Sequence, residues 1–448
     1  MKDIIKNRKL ILSIFTLALP AIIEMSLHTL LGIVDTIMIS RIIGLEGLSA
    51  AGFANQLIFT VIFIFSSFNA GATAMISRSF GEKNMEKLNK VLGQNLFLNI
   101  IIGTVITILS IIFSPNLLRI FDISEDVFQL AVPFFRIIAA GMIFMFISFA
   151  AKASLRGASD TKTPMIITSL VNLINIIGNY VLMTGFWIFP ELGLNGAAIS
   201  TTFARFIDAA LFLLILLRGK GGLQLTLLNL KITREIFKPL WRLSSSAAIE
   251  QILMQLSFLV SGIFISQLDT LQEGSFRILL NIESISFMPA IGFSIAAASL
   301  VGKSLGEKDV KKSLHIGYTA SILGATWGVL MGIIFFTFPV FILKFFTKDV
   351  TIINTSLFTM YVMGLNQVPL AFWIVISGAL RGAGDTRGVM IISSLRLWLM
   401  FIPLCYLFTI QLNFGIAGLW FAELSSFLVF NYIMHRRFKA KQWAKIAL

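Results

Sequence analysis

Long apolar runs, separated by short segments that carry most of the charged residues, dominate the pattern of the chain. Residues 99–113 (NIIIGTVITILSIIF) and 328–343 (GVLMGIIFFTFPVFIL) are examples. Runs of this length predict helices, because the strands of a membrane β-barrel alternate apolar and polar positions over only about ten residues. The pattern predicts an all-α integral membrane protein with twelve spans, near residues 11–38, 51–75, 91–113, 131–153, 165–186, 196–217, 243–266, 278–300, 316–343, 353–379, 388–410 and 416–434.

Composition and charge agree with this prediction. Hydrophobic residues make up 57% of the 448 residues and charged residues only 13%, whereas soluble domains contain about 25% charged residues. Most of the 36 Lys and Arg residues fall in alternate connections, which predicts that these connections and both termini lie in the cytoplasm and that the protein crosses the cell (inner) membrane. The net charge of +14 then reflects topology and anionic headgroups, so no nucleic-acid partner is expected. The single cysteine, Cys405, excludes an intramolecular disulfide and a multi-cysteine metal site.

Two short motifs occur twice in the chain at one common offset. SFGEKN begins at Ser79 and SLGEKD at Ser304, while LRGASDT begins at Leu155 and LRGAGDT at Leu380, so both pairs are 225 positions apart. The shared offset predicts two homologous six-span lobes, related by a pseudo-two-fold axis along the membrane normal, with the substrate path between them. The predicted segments are an N-lobe (1–217), a cytoplasmic linker with a short surface helix at TREIFKPLW (218–242), a C-lobe (243–434) and a basic cytoplasmic tail (435–448).

The repeated LRGA phrase favours a structural role. Gly157 and Gly382 suit helix C-termini, and Arg156 and Arg381 suit both the helix dipole and the cytoplasmic side of the membrane. The Asp and Thr residues that follow suit turns or caps that open the next helix. Gating at the inner mouth of the transporter is the alternative interpretation.

Ionisable residues inside spans are costly, and the first predicted span contains Glu24, His28 and Asp35. At 100° per residue, Glu24 and Asp35 share one helix face, and His28 lies about 40° from Glu24. Buried carboxylates suit coupling to H⁺ or Na⁺, because either cation neutralises them in a low dielectric. Hydrogen bonds that only hold neighbouring helices together are the alternative.

Polar residues in other spans extend the set of candidates. Asn172, Asn175 and Asn179 share one face of the fifth span, and Thr201 lies in the sixth. Their oxygens can ligate a hard cation or accept a hydrogen bond from a carboxyl group. The candidates for an additional polar cavity are Glu24, His28, Asn172, Glu250, Gln251 and Glu283, with Glu423 as a further buried carboxylate.

Three more expectations concern basic and apolar side chains. Arg396 is expected to pair with a carboxylate, and Arg205 with Asp208 three positions further along its helix. Flexible and aromatic side chains can accept many amphipathic ligands. The candidates for the lining of a substrate cavity are Met363, Phe372 and Trp373 in the tenth span.

The chain resembles the MATE (multidrug and toxic compound extrusion) transporters. The resemblance rests on the six-plus-six repeat, on VDTIMIS at the end of the first span, on the paired LRGASDT and LRGAGDT loops, and on RSFGEKN and KSLGEKD. It implies two lobes that form a V around a central cavity, and exchange of external H⁺ or Na⁺ for cytosolic organic cations and other drugs. It also implies an N-lobe cation site made of Asp35, Asn175, Asn179 and Thr201.

The chain departs from the family pattern at two places. The family often has aspartate where this chain has Asn179, so one charge is missing from the implied N-lobe site. One branch of the family uses an acidic pair in the C-lobe, and here Glu250 matches the first position whereas Leu370 stands at the second. Coupling is therefore expected to depend mainly on the N-lobe.

The predicted function is a cation-coupled antiporter that exports organic cations and amphipathic drugs by alternating access. We expect a monomer without enzymatic activity or cofactor, with H⁺ or Na⁺ as the coupling ion and no metal beyond Na⁺ at the Asp35 site. The alternative is a flippase of lipid-linked oligosaccharides or other amphiphiles from the same superfamily. Such flippases usually need an arginine-rich cavity, and few arginines lie within these spans. A channel or receptor is a third, less favoured class.

Overall fold

The computed structural model describes residues 8–446, and within these residues the chain folds into helices joined by short loops. The spans, numbered in chain order, have these bounds: Arg8–Ile42, Leu45–Gly81, Met85–Ile112, Glu125–Ala140 with Met142–Gly157, Lys162–Thr184, Gly193–Arg218, Arg234–Ile265, Thr270–Gly306, Val310–Thr337, Val350–Gly382, Thr386–Gln411 and Ala417–Lys439. Eleven of these segments are long and apolar enough to cross a membrane, and the two helices of span 4, joined at a 42° bend, make the twelfth. The predicted all-α fold with twelve spans is confirmed.

Several spans are interrupted or followed by short elements. Span 2 breaks at Asn69, between Leu45–Phe68 and Ala70–Gly81. Span 11 changes its helix type along its length. It is α-helical over Thr386–Leu395 and Ile402–Tyr406, and π-helical over Arg396–Phe401 and Leu407–Gln411. The remaining short helices are Ser114–Arg119, Leu227–Leu230, Pro339–Phe346 and Gln442–Lys445.

Two boundaries differ from the sequence-based expectation. The predicted ninth span (316–343) is too long, because its helix ends at Thr337 and a separate short helix begins at Pro339. The TREIFKPLW segment is helical from Arg234, as expected, but it continues without a break into span 7, which is one helix from Arg234 to Ile265 and includes Pro239. Pro239, the sixth residue of this helix, has no N–H to donate to the carbonyl of Glu235, but the helix continues through it.

The described residues divide into two compact units. The N-terminal unit consists of residues 23–80 and 84–241, and the C-terminal unit of residues 8–22, 81–83 and 242–446. Each unit has its own apolar core. In the N-terminal unit the core includes Ala50, Phe134, Phe135, Phe146 and Ala198, and in the C-terminal unit it includes Ile14, Phe293, Trp373, Trp420 and Phe427.

Glycine permits close packing between spans 9 and 10 of the C-terminal unit. A Cβ atom added to Gly328 would clash with the backbone carbonyl of Gln367, and one added to Gly332 would press on the carbonyl of Gly364. Small residues of this kind are the usual means by which membrane helices approach, since lipid tails provide no hydrophobic drive for helix association.

Candidate cation-binding site

The four residues expected to bind a cation form one hydrogen-bonded chain within the N-terminal unit. The Asn179 side-chain amide donates to Asp35 Oδ1 across 2.7 Å and to Asn175 Oδ1 across 3.5 Å. The Asn175 amide in turn donates to Thr201 Oγ1 across 3.3 Å. Spans 1, 5 and 6 therefore meet at one polar cluster, as the family resemblance implied.

Helix spacing and close packing explain why these side chains meet. Asn175 and Asn179 are four residues apart, so both project from one face of span 5. Ser200 Oγ donates to the backbone carbonyl of Asn175 across 3.0 Å. Gly178 leaves room for this contact, because a Cβ atom there would overlap Ser200 Oγ. The sixth span thereby approaches the fifth closely enough for Thr201 to reach the cluster.

Asn172, which was a candidate for an additional polar cavity, instead connects two helices. Its amide donates to the backbone carbonyl of Leu27 across 3.0 Å, and its side chain is buried. Because Leu27 precedes Asp35 in span 1, this bond attaches span 1 to span 5 about two helical turns from the carboxylate. Asn172 therefore positions the site without contributing an oxygen to it.

The cluster contains one buried oxygen that has no hydrogen-bond partner among the described residues. Asn179 Oδ1 is buried and accepts no hydrogen bond from any residue between 8 and 446. An amide oxygen can only accept, so the group it lacks is a donor or a cation. Asp35 is half-buried. A carboxylate, two amide oxygens and a hydroxyl form an oxygen-only set that suits a hard cation or a proton on Asp35.

Glu24 does not join this cluster. Its side chain is fully buried and forms an ion pair with Arg156, whose Nη2 donates to Glu24 Oε2 across 2.8 Å. Lys152 Nζ lies 3.7 Å from Glu24 Oε1 and 3.5 Å from Asp208 Oδ2. The expected pairing of Arg205 with Asp208 is therefore wrong: Asp208 faces Lys152, and Arg205 donates to the backbone carbonyl of Ile138.

Glu250 forms the same kind of ion pair within the C-terminal unit. Arg381 Nη2 donates to Glu250 Oε1 across 2.7 Å, and Ser393 Oγ donates to the same oxygen across 2.7 Å. The two arginines come from the repeated LRGA phrase, and the two glutamates from AIIE and AAIE, which begin at Ala21 and Ala247. The repeated phrase thus neutralises a repeated buried carboxylate, a role that the sequence interpretation missed. The nearly equal offsets, 226 for the glutamates and 225 for the arginines, were the signal that could have revealed it.

The aspartates of the repeated phrase cap the following helices, as expected. Asp160 accepts hydrogen bonds from the backbone N–H and the hydroxyl of Thr163 at 3.0 and 2.5 Å. Asp385 accepts from the backbone N–H of Gly388 at 3.2 Å and from two nitrogens of Arg437 at 2.5 and 2.9 Å. Free helix N-terminal N–H groups are satisfied in this way.

The chain is similar to known transporters along nearly its whole length. A family model described as MatE matches residues 20–181 and, a second time, residues 246–407. The chain belongs to the MatE family. It is 30% identical to a probable multidrug resistance protein NorM of Thermotoga maritima, over 96% of this chain and 93% of that protein. It is also 26% identical to an uncharacterized transporter YisQ of Bacillus subtilis, over 96% and 94% of the two chains.

Solved structures of MATE transporters share the fold. A crystal structure of MATE in the bent conformation gives a TM-score of 0.89 at 21% identity over 97% of both chains. An outward-facing MATE family transporter of the MOP superfamily gives a TM-score of 0.88 at 22% identity over 97% and 98%. The family model matches each half once, so the predicted two-lobe repeat is confirmed. The protein is therefore a multi-pass membrane transporter and not an enzyme.

The remaining candidates were His28, Gln251, Met363, Phe372 and Trp373. His28 is exposed, and Gln251 is half-buried beside the ion-paired Glu250. Met363 and Trp373, which were expected to line a substrate cavity, are buried in the core of the C-terminal unit, and Phe372 packs partly buried against that core.

Arg396 also differs from expectation. Within the described residues it forms no ion pair with a carboxylate. Its Nη1 instead donates to Ser426 Oγ across 3.0 Å, and its guanidinium lies 4.1 Å from the ring centre of Phe427 and 5.2 Å from that of Trp373. Aromatic faces stabilise a buried cation through their quadrupoles.

Proposed function

We propose that the protein is a cation-coupled antiporter that exports small organic cations and amphipathic drugs, with H⁺ or Na⁺ bound at the Asp35 cluster as the coupling ion. The observation that carries the proposal is the hydrogen-bonded chain from Asp35 through Asn179 and Asn175 to Thr201, in which Asn179 Oδ1 has no partner within residues 8–446. Family membership supports drug export, since relatives such as the Thermotoga maritima protein are named multidrug resistance proteins. It also favours the exporter over the oligosaccharide flippase.

The number of ionisable groups in the Asp35 cluster determines how many cations are needed to neutralise it. Asp35 is its single ionisable group, because Asn179 and Asn175 are neutral amides. One H⁺ or one Na⁺ is therefore enough to neutralise the site. The oxygen set suits both cations, since Asn179 Oδ1 can ligate Na⁺ or accept a hydrogen bond from a protonated Asp35.

Coupling follows if the cation and the drug favour different conformations. A ligand shifts a conformational equilibrium only by its difference in affinity for the two states. Neutralising Asp35 weakens its charge-assisted bond to Asn179, which joins span 1 to span 5. Span 1 can then shift, and the alternating-access cycle releases drug outside and cation inside. The concentration of Lys and Arg in alternate connections supports cytoplasmic termini in the cell membrane, and we propose that the monomer is the transporting unit.

The test is transport in proteoliposomes. A fluorescent cationic dye is loaded, H⁺ and Na⁺ gradients are imposed separately, and wild type is compared with Asp35→Asn. We expect one of the two gradients to drive dye transport in the wild type and neither gradient to do so in Asp35→Asn. Glu46→Gln is the matched control, because Glu46 is an exposed carboxylate at the start of span 2. Undiminished gradient-driven transport by Asp35→Asn would contradict the proposal.

A further inference from the structure

The linker between spans 6 and 7 exposes two leucines outside any span. They are Leu227 and Leu228, in the short helix Leu227–Leu230, and they are 88% and 82% exposed. Two other leucines of the same linker behave differently, because Leu223 and Leu225 are buried. The linker thus covers some of its apolar side chains against the N-terminal unit and turns these two away from it.

Hydrogen bonds fix the linker against span 3, within the N-terminal unit. Asn89 Oδ1 accepts from the backbone N–H of Gln224 across 2.8 Å. Further along span 3, Gln94 Nε2 donates to Thr233 Oγ1 across 2.8 Å. The two exposed leucines lie between Gln224 and Thr233 in the chain, so these contacts hold them at a defined height along span 3.

That height corresponds to the boundary between lipid headgroups and acyl chains. Span 3 begins after two spans and the linker after six, so both lie on one side of the membrane. With 28 residues, span 3 is about 42 Å long and extends about 6 Å beyond each face of a hydrocarbon core of about 30 Å. Asn89 and Gln94 lie about 6 and 13 Å along the helix from Met85. Side chains held between these levels can reach the acyl chains.

The first turns of span 7, which follow the linker, are amphipathic. Arg234, Lys238 and Trp241 are spaced at i, i+4 and i+7, so they share one face, and all three are exposed. On the opposite face, Ile236 and Leu240 are buried. Tryptophan beside lysine and arginine is typical of helix ends at the level of the headgroups.

Positive charge on this segment is not balanced by the protein. Lys231, Arg234 and Lys238 are exposed and form no ion pair with any carboxylate within residues 8–446. Glu235 is the one acidic residue between positions 227 and 241, against these three basic residues. Basic side chains close to a membrane surface attract anionic phospholipids.

The C-terminal tail provides an internal comparison. The short helix Gln442–Lys445 follows span 12 as Leu227–Leu230 follows span 6. Its Trp443 is buried, stacks on Phe438 at 5.1 Å between ring centres, and donates from Nε1 to the Phe438 carbonyl across 2.7 Å. The tail covers its large apolar side chain with protein, whereas the linker leaves its leucines for another apolar environment.

We propose that the linker binds an anionic phospholipid. Acyl chains cover Leu227 and Leu228, and the headgroup phosphate binds Lys231, Arg234 and Lys238; these five residues are called the lipid surface below. The surface shares no residue with the Asp35 cluster, and lipid binding here does not depend on the proposed drug export.

The depth of Leu228 tests the apolar half of the lipid surface. A nitroxide is attached to Leu228→Cys in full-length protein that carries Cys405→Ala, in nanodiscs of phosphatidylcholine and phosphatidylglycerol. Collisions with O₂, which concentrates among acyl chains, are compared with collisions with a water-soluble nickel chelate. We expect O₂ to dominate at position 228. The control is Lys308→Cys, at an exposed position between spans 8 and 9, where the nickel chelate should dominate.

Lipid titration tests the basic half of the lipid surface and keeps the native Cys405. Phosphatidylglycerol bound to the full-length protein in detergent is counted by native mass spectrometry as its concentration rises. A triple variant with Lys231→Gln, Arg234→Gln and Lys238→Gln should bind its first phosphatidylglycerol at least about tenfold more weakly than the wild type, because each basic residue near anionic headgroups contributes about fivefold. Binding of phosphatidylcholine should not change.

A matched triple variant controls for total charge. Lys308→Gln, Lys311→Gln and Lys439→Gln remove three exposed basic residues from connections that, like the linker, follow an even number of spans. This variant should bind phosphatidylglycerol like the wild type.

Three results would overturn the proposal. In the first, the nickel chelate reaches the label at position 228 as readily as at position 308. In the second, neither reagent reaches position 228, which would mean that protein covers the leucines. In the third, the two triple variants bind phosphatidylglycerol equally. If the Leu228→Cys protein fails to fold, the titration alone decides. Both measurements are made without drug or ion gradient, so they are independent of the dye-transport test of Asp35.

Discussion

Arg156 donates a hydrogen bond to Glu24 across 2.8 Å, and no part of the Glu24 side chain is exposed. The equivalent pair in the other half, Arg381 and Glu250, has an N–O distance of 2.7 Å. In each half, the first span is thus attached to the end of the fourth by a buried ion pair. Such pairs contribute little when formed, but breaking one leaves a buried charge without compensation.

Glu24→Gln is therefore expected to destabilise the protein strongly. The substitution leaves Arg156 and Lys152 close together with only Asp208 to balance them, and removing one partner of a buried pair costs about 3–5 kcal/mol. Thermal unfolding in detergent measures the loss. Glu86→Gln is the control, since Glu86 forms an exposed pair with Lys90 on span 3, and it should unfold like the wild type. If the two variants unfold at the same temperature, the ion pair of Glu24 and Arg156 does not contribute to stability.

Glu250→Gln separates a structural from a coupling role in the second half. We expect a lower melting temperature, because Arg381 and Ser393 both lose their charged acceptor. The protein that remains folded should transport dye with unchanged dependence on the coupling ion, since Glu250 is already neutralised by Arg381. Ser393→Ala, which removes only one hydrogen bond, should lie between this variant and the wild type in stability. If equal amounts of folded wild type and Glu250→Gln differ in how transport depends on the coupling ion, then Glu250 takes part in coupling.

Local patterns were enough to predict the spans and the shared face of the span-5 asparagines, whereas the grouping of Asp35 with Asn175, Asn179 and Thr201 came from the family resemblance. Apolar length determines the spans, and the four-residue spacing of Asn175 and Asn179 places both on one helix face. The pairing of Glu24 with Arg156 was not predictable in this way, because it joins residues 132 positions apart through the packing of separate helices. The same reason explains why Asp208 faces Lys152 rather than its neighbour Arg205.

Gly328→Ala tests the close approach of spans 9 and 10. The new methyl group would collide with the backbone carbonyl of Gln367, so spans 9 and 10 must separate. We expect a loss of about 1–3 kcal/mol from overpacking. Gly262→Ala, in span 7, is the matched control because nothing lies within 4 Å of its added Cβ atom. The control should be neutral or slightly stabilising, since alanine favours helix more than glycine does. Thermal unfolding of both variants measures the difference. If Gly328→Ala is as stable as Gly262→Ala, the close approach of spans 9 and 10 at Gly328 is not needed for stability.

Asn179→Asp gives the Asp35 cluster the second carboxylate that MATE proteins often have. Asn179 lies 2.7 Å from Asp35, so without a cation the two carboxylates repel each other, and cation affinity should rise at least tenfold. The dependence of dye transport on the driving cation should become steeper, because the variant needs two positive charges for neutrality where the wild type needs one.

Proteoliposome transport at a series of cation concentrations measures both effects. Asn281→Asp adds the same charge at an exposed position of span 8 and should leave the curve unchanged. Asn179→Leu removes the unpartnered oxygen but keeps Asp35, so affinity for the cation should fall while the slope stays that of a single charge. If Asn179→Asp and Asn281→Asp give the same curve, then Asn179 does not face the bound cation, and the lack of a partner for Asn179 Oδ1 among the described residues has another explanation.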